Sequence, residues 1–253
     1  MKASAAKWIG VPVVLGLVLA TSTVYAERLQ IVAEAWPPYV DNKLPGKGVA
    51  IELVTTAFER AGYEQRLVND NWSRALEGAR IGVYDVVANI WHTDERARDL
   101  SYSDPYLSND IRLIKRRGRD VRFNRMDDLK GLLIGVVKDY AYPQAFTAAK
   151  LTRVSRDNVL SALGDLVKGQ DDVVIGDKRA IEYAIENFLP NESQNLEFLP
   201  KSVGENKLYV AVSKANPKHE KITRDFNRAL KAMKKDGTYQ KILASHRFPT
   251  RQP

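Results

Sequence analysis

Tyr84-Asp85-Val86-Val87-Ala88-Asn89-Ile90-Trp91-His92-Thr93-Asp94-Glu95-Arg96-Ala97-Arg98-Asp99-Leu100-Ser101-Tyr102-Ser103-Asp104-Pro105-Tyr106 is the stretch from which the fold class is read. Five of its first seven residues are apolar with little alternation, the pattern of a strand buried on both faces. A helix start follows, in which Thr93 can act as a cap and Arg96 falls in the first turn. Ser103-Asp104-Pro105-Tyr106 then makes a turn. An arginine at a strand-to-helix junction can grip a carboxylate through two parallel charge-assisted hydrogen bonds. A plain solvated helix start would have the same composition.

Strands and helices alternate on both sides of this stretch. Arg28–Ala33 is a strand, ended by Trp36-Pro37-Pro38-Tyr39 because consecutive prolines cannot donate to a ladder. Residues 49–61 carry helical spacing and stop at Gly62; 63–68 is a strand, and 72–81 a short helix ending near Gly82. Further on, strands are expected at 111–115, 132–137, 172–176 and 207–213. Helices are expected at 143–150, 155–168 and 180–187, with a long one over 217–236 stopped by Gly237. The alternation predicts an α/β protein with crossover helices, arranged as two lobes rather than one sheet.

The bulk properties narrow the function. The 253 residues suffice for one large or two small cores, and 44% hydrophobic with 28% charged residues is a globular balance. Residues 1–26 are a secretory signal: Lys2 and Lys7, an apolar run over 9–20, and Val24-Tyr25-Ala26 as the cleavage site. Cleavage is expected after Ala26, giving an exported protein. The formal charge of +8 falls to +6 once Lys2 and Lys7 leave. With no cysteine there is no disulfide, lipid anchor or thiolate site. The three histidines have no metal-like spacing, so neither a metal nor another cofactor is expected. The basic run from Lys115 to Arg122 reads as solvated surface, and export argues against a nucleic-acid partner.

Taken in order, these segments resemble one family. The leader, Trp36-Pro37-Pro38-Tyr39, Trp72 opening a helix, Tyr84-Asp85-Val86-Val87, Thr93-Asp94-Glu95-Arg96, Ser103-Asp104-Pro105-Tyr106, residues 172–177 and Leu208-Tyr209-Val210-Ala211-Val212-Ser213-Lys214 match the bacterial periplasmic solute-binding proteins of family 3, the polar amino-acid class. The resemblance implies a two-lobe periplasmic-binding-protein fold of type II. Lobe 1 would take 27–113 and 206–253, lobe 2 would take 114–205, and the ligand cleft would lie between them. It implies a monomeric receptor that hands an amino acid or similar solute to the inner-membrane permease of an ABC importer.

The resemblance also assigns site residues. Arg96 would hold a ligand carboxylate and Asp177 an ammonium group, while Trp36 and Trp72 would sandwich the ligand. Asn89, Trp91, Thr93 and Tyr140 would complete the site. Asp177 also fits the cap of the following helix, its ligand role being the favoured one, and Thr93 could equally cap its own. Two positions depart from the family pattern. Trp91 is bulkier than the small hydroxyl residues common there, and Lys138-Asp139-Tyr140 replaces a Gly-Thr-Thr-like turn. Two further functions stay open on the same scaffold. One is a cyclohexadienyl dehydratase-like enzyme with Asp177 or His92 as general acid. The other is a ligand-sensing periplasmic protein.

Overall fold

The structure is a computed structural model describing residues 27–249. The expected leader and its cleavage point lie outside the described residues. In chain order the elements are β1 (Arg28–Ala33), α1 (Val49–Arg60), β2 (Glu64–Asn69), α2 (Trp72–Arg80), β3 (Val86–Trp91), β4 (Leu100–Tyr102), β5 (Leu107–Arg116), β6 (Leu133–Val137), α3 (Gln144–Ala148), β7 (Thr152–Arg156), α4 (Val159–Lys168), β8 (Val173–Asp177), α5 (Lys178–Phe188), β9 (Leu196–Phe198), β10 (Gly204–Ser213), α6 (His219–Asp236) and α7 (Thr238–Ser245).

The strands run in the order β2-β1-β3-β10-β5-β8-β6-β7. Two similar halves meet in the middle. On one side β2, β1 and β3 are parallel, with β10 antiparallel to β3. On the other β7, β6 and β8 are parallel, with β5 antiparallel to β8. The long strands β5 and β10 belong to both halves. Residues 107–111 of β5 pair with 204–208 of β10, after which β5 continues onto β8 and β10 onto β3. The chain therefore crosses between lobes in two adjacent antiparallel strands, a two-stranded hinge.

Packing explains why β3 reads as continuously apolar. All six of its residues are buried. Val86 and Ala88 join the cluster that includes Leu53 and Phe58 of α1 and Phe226 of α6. Val87 and Ile90 face the opposite way, onto Ala75 and Ala79 of α2. In the second lobe α4 and α5 cover Ile114, Val137 and Val174 with Leu163, Leu166 and Ile181. Gly48, which precedes α1, needs its lack of a side chain. Its φ is 96°, and a Cβ there would lie 2.4 Å from the Tyr39 carbonyl oxygen.

Several sequence expectations shift. The helix expected over 155–168 starts at Val159, because Asn158 caps it by accepting from the Ser161 amide. The preceding Thr152–Arg156 is the edge strand β7, half exposed and paired only to β6, so its polar composition hides it. The strand expected at 111–115 extends over 107–116. The short strands β4 and β9 and the helix α7 have no counterpart in the reading. Gly237, at φ 83°, ends α6 and allows α7 to follow at once. Within the basic run, Lys115 pairs with Glu197 and Arg119 with Asp172.

Candidate functional site

The C-terminal ends of β1 and β3 meet the first turn of α2 at the edge of the lobe 1 sheet, where open α/β sheets present their ligand groups. β1 leads to Glu34 and Trp36, β3 ends in Asn89 and Trp91, and α2 opens with Trp72. Arg96 enters on the turn after β3, Leu208 on β10, and Tyr140 and Ala141 on the loop after β6 of the other lobe. Together they enclose a cavity of about 20 Å³ between the lobes, room for about one water.

A tight turn sets the Trp36 side chain. Its N–H donates to the Val40 carbonyl at 2.8 Å, and its own carbonyl accepts from Tyr39 and Val40. The Pro37–Pro38 peptide bond inside it is cis. Trp36 stacks on Tyr39 with ring centroids 4.3 Å apart. The edges of Trp91 and Tyr140 meet it at 5.7 and 6.3 Å, and they meet each other at 5.2 Å. Tyr140 comes from lobe 2 and the two tryptophans from lobe 1. Ring contacts thus bridge the cleft, each contributing about 0.5–1.5 kcal/mol beyond its area.

The polar groups in this apolar setting are few and strongly perturbed. Arg96 is buried and, among the described residues, makes no close ion pair with a carboxylate. Its Nη1 donates to the Trp91 carbonyl at 2.9 Å and its Nη2 to the Asp139 carbonyl at 2.6 Å, while its guanidinium lies 5.1 Å from the Trp72 ring centroid. Burial pushes the guanidinium below its ordinary range. Burial likewise drives the half-buried Glu34 carboxyl up to about 7, against a hydrogen bond from the Trp72 amide at 3.3 Å. The Trp36 Nε1 donor and the Asn89 Oδ1 acceptor are both buried without a hydrogen-bond partner. Such groups are destabilising by about 1–3 kcal/mol each until something fills them.

Of the residues expected in the site, Arg96, Trp36, Trp72, Asn89, Trp91 and Tyr140 come together around this cavity. Thr93 does not line it. Its Oγ1 accepts from the Arg96 amide at 3.1 Å, so it caps the turn and faces the outer mouth of the cleft. Asp177 does not line this cavity either. Its carboxylate accepts from the Ala180 amide at 2.8 Å as the cap of α5, from the Tyr39 hydroxyl at 2.9 Å and from Asn109 Nδ2 at 3.1 Å. Tyr39 and Asn109 screen it from the cavity, and it opens instead onto the crevice beside Lys178 and Arg179. Burial raises its carboxyl to about 6, the three donors and Arg179 pulling the other way.

Sequence reasoning missed Glu34 and Asn109. Glu34 had a signal, an acid at the C-terminal end of a strand and two residues before Trp36. Asn109 also had one, a polar residue at an inward position of an otherwise apolar alternation. Among the described residues no group of side chains could hold a metal ion, and no helix is long and apolar enough to cross a membrane.

The sequence profile of the bacterial extracellular solute-binding proteins, family 3, matches residues 29–249. ABC transporter arginine-binding protein 1 of Escherichia coli (strain K12) is 26% identical over 226 residues, covering 86% of this chain and 89% of the relative. Among solved structures, an ancestral arginine-binding protein bound to arginine superposes with a TM-score of 0.72 at 26% identity, over 86% of this chain and 97% of that one. A histidine kinase sensor domain with similarity to periplasmic binding proteins superposes at 0.76 with 22% identity, over 87% and 96%. The chain belongs to family 3 of the bacterial extracellular solute-binding proteins, and its fold is the two-lobe type II periplasmic-binding-protein fold.

Proposed function

We propose that this chain is an exported, monomeric receptor, cleaved after Ala26, that closes its lobes on an amino acid or similar small polar solute. It then presents the closed form to the inner-membrane permease of an ABC importer. Lobe 1 is taken as 27–113 with 206–253, and lobe 2 as 114–205. The observation that carries this reading is the pair of unpartnered buried groups, Trp36 Nε1 and Asn89 Oδ1, on two residues that line a cavity edged by Arg96 and Glu34. One donor, one acceptor, one cation and one acid suit a ligand bearing both an anionic and an ammonium group. Flat indole faces supply apolar contact and favour a cationic portion. A cavity this small admits a ligand only if the lobes part and Trp91 and Tyr140 move.

Thermal unfolding against a panel of L-arginine, L-cystine, L-histidine and L-glutamine tests the reading. A ligand at a hundredfold excess over its Kd stabilises by about 2.7 kcal/mol. For a chain of this size that raises Tm by about 5–10 °C. Arg96→Met should remove most of that shift, since losing a desolvated charge contact costs about 2–5 kcal/mol. No shift with any polar amino acid or amine overturns the proposal.

One observation favours a second reading. Glu34, held near 7 inside the cleft, is poised as a general acid, which a dehydratase on this scaffold would need. Incubation with prephenate, followed by absorbance, separates the two: conversion lost in Glu34→Gln would establish the enzyme.

A further inference from the structure

The solute-binding reading is the premise here; the question is which ligands the closed cleft admits. A guanidinium holds a carboxylate best when two neighbouring N–H groups are free to point at its two oxygens. Each terminal nitrogen of Arg96 already donates to a backbone oxygen, one from its own lobe and one from the opposite lobe. The opposing oxygen is the carbonyl of Asp139, on the loop after β6.

Asp139 is unusual in its backbone and in its contacts. Its φ is 59°, in the left-handed region, which is strained for most residues and least so for Gly, Asn and Asp. Its carbonyl also accepts from Trp72 Nε1 at 3.2 Å, and its carboxylate accepts from Ser73 Oγ at 2.9 Å. One residue of lobe 2 therefore makes three hydrogen bonds to lobe 1, all near the point where a ligand would bridge the lobes. The side chain adds a negative charge beside the guanidinium, in a crevice that also holds Glu77, Asp94 and Glu95.

The geometry points to Asp139 as a tethered occupant of the carboxylate seat on Arg96, which latches the lobes together without ligand and selects against solutes that need the whole Arg96 fork. A carboxylate must displace the Asp139 carbonyl and approach its side-chain charge. An amine or other cation lacking a carboxylate meets neither obstacle. A molecule closed by its own latch binds with an affinity reduced by the fraction of open form. The class of ligand favoured is thus an organic cation without a carboxylate, relative to the amino acid from which it would derive by decarboxylation.

The test uses the mature protein, freed of co-purified solute by unfolding and refolding, with Asp139→Ala and Ser73→Ala. Ser73 is exposed on α2 and lies outside the binding cavity, so its loss weakens the latch without touching the seat. Small-angle X-ray scattering without ligand reads the latch directly. Both variants should show a larger radius of gyration than the parent, and identical curves overturn the proposal. Calorimetric titration with L-arginine and with agmatine, which keeps the side chain and lacks the carboxylate, reads the selection. Asp139→Ala should bind L-arginine about three- to tenfold more tightly than the parent, the range of the one net hydrogen bond, from Ser73 Oγ to the Asp139 carboxylate, that the substitution removes. Agmatine should gain less than L-arginine does, because it shares the released latch but does not compete for the Arg96 fork. Unchanged or weaker L-arginine binding in Asp139→Ala would mean that the loop helps hold a ligand, and overturns the proposal. If neither probe binds any form, the solute reading fails for this class and the scattering result decides the latch.

Discussion

Tyr39→Phe isolates one hydrogen bond at the junction of the lobes. The Tyr39 side chain is fully buried, and its hydroxyl donates to Asp177 Oδ1 at 2.9 Å. Phenylalanine keeps the stack on Trp36 and the edge contact with Phe248, so only the hydroxyl is lost. A hydrogen bond to a charged group contributes about 1.5–3 kcal/mol, which predicts a fall in Tm of about 3–12 °C. The pH dependence makes the prediction sharper. Asp177 has its carboxyl raised to about 6 in the folded state, above its unfolded value. The stability it contributes is therefore full at low pH and declines as pH rises through 6. The Tyr39 hydroxyl holds that value down, so removing it pushes the carboxyl higher and deepens the decline. The deficit of Tyr39→Phe should be small at pH 5 and full at pH 8. Thermal unfolding followed by circular dichroism at pH 5, 6, 7 and 8 measures it. An equal deficit at pH 5 and pH 8, or none at pH 8, would refute the assignment of this bond to an ionised buried carboxylate.

Other substitutions probe the site and its supports. Gly48→Ala should lower the urea midpoint by an amount equivalent to at least about 2 kcal/mol, because the new Cβ meets the Tyr39 carbonyl and the backbone conformation is unfavourable as well. Glu34 is raised to about 7, so it ionises only as pH passes that value. Binding of agmatine, read by calorimetry, should strengthen between pH 6 and pH 8 in the parent and stay level in Glu34→Gln.

What could be read from the sequence was what packing alone decides. The run Val86-Val87-Ala88 has to be buried on both faces, and it lies at the centre of its lobe. Gly237 had to end a helix. Arg96, Trp36 and Trp72 were legible because their types carry chemistry wherever they occur near strand ends. The edge strand β7 was not, because Thr152-Arg153-Val154-Ser155-Arg156 places one apolar residue among polar ones and gains its structure from the ladder with β6. Asp177 shows a different limit. An acid at the end of a buried strand suits a ligand site and a helix cap equally well. Only the three-dimensional placement of Tyr39 and Asn109, distant in sequence, separates the two.

The same placement bears on how the lobes move. Trp91 Nε1 donates to Asn109 Oδ1 at 2.8 Å, Asn109 Nδ2 donates to Asp177, and Tyr39 donates to Asp177 from the other side. A continuous line of hydrogen bonds therefore runs from the cavity wall to the cap of α5. Asn109 stands opposite Asn206 in the paired strands β5 and β10, and Asp177 stands opposite Ile111. Both positions lie at the crossover, where a hinge displaces its neighbours least. Asp139 lies on a lobe 2 loop that reaches across the cleft to Ser73 and Trp72 on α2, so opening has to break its contacts. An acid thus stands at each place, Asp177 at the pivot and Asp139 at the mouth of the cleft. The bulky Trp91, hydrogen-bonded to the hinge strand and packed edge-on against Tyr140, links one to the other. Displacing Trp91 would therefore break its bond to Asn109 on the hinge strand β5.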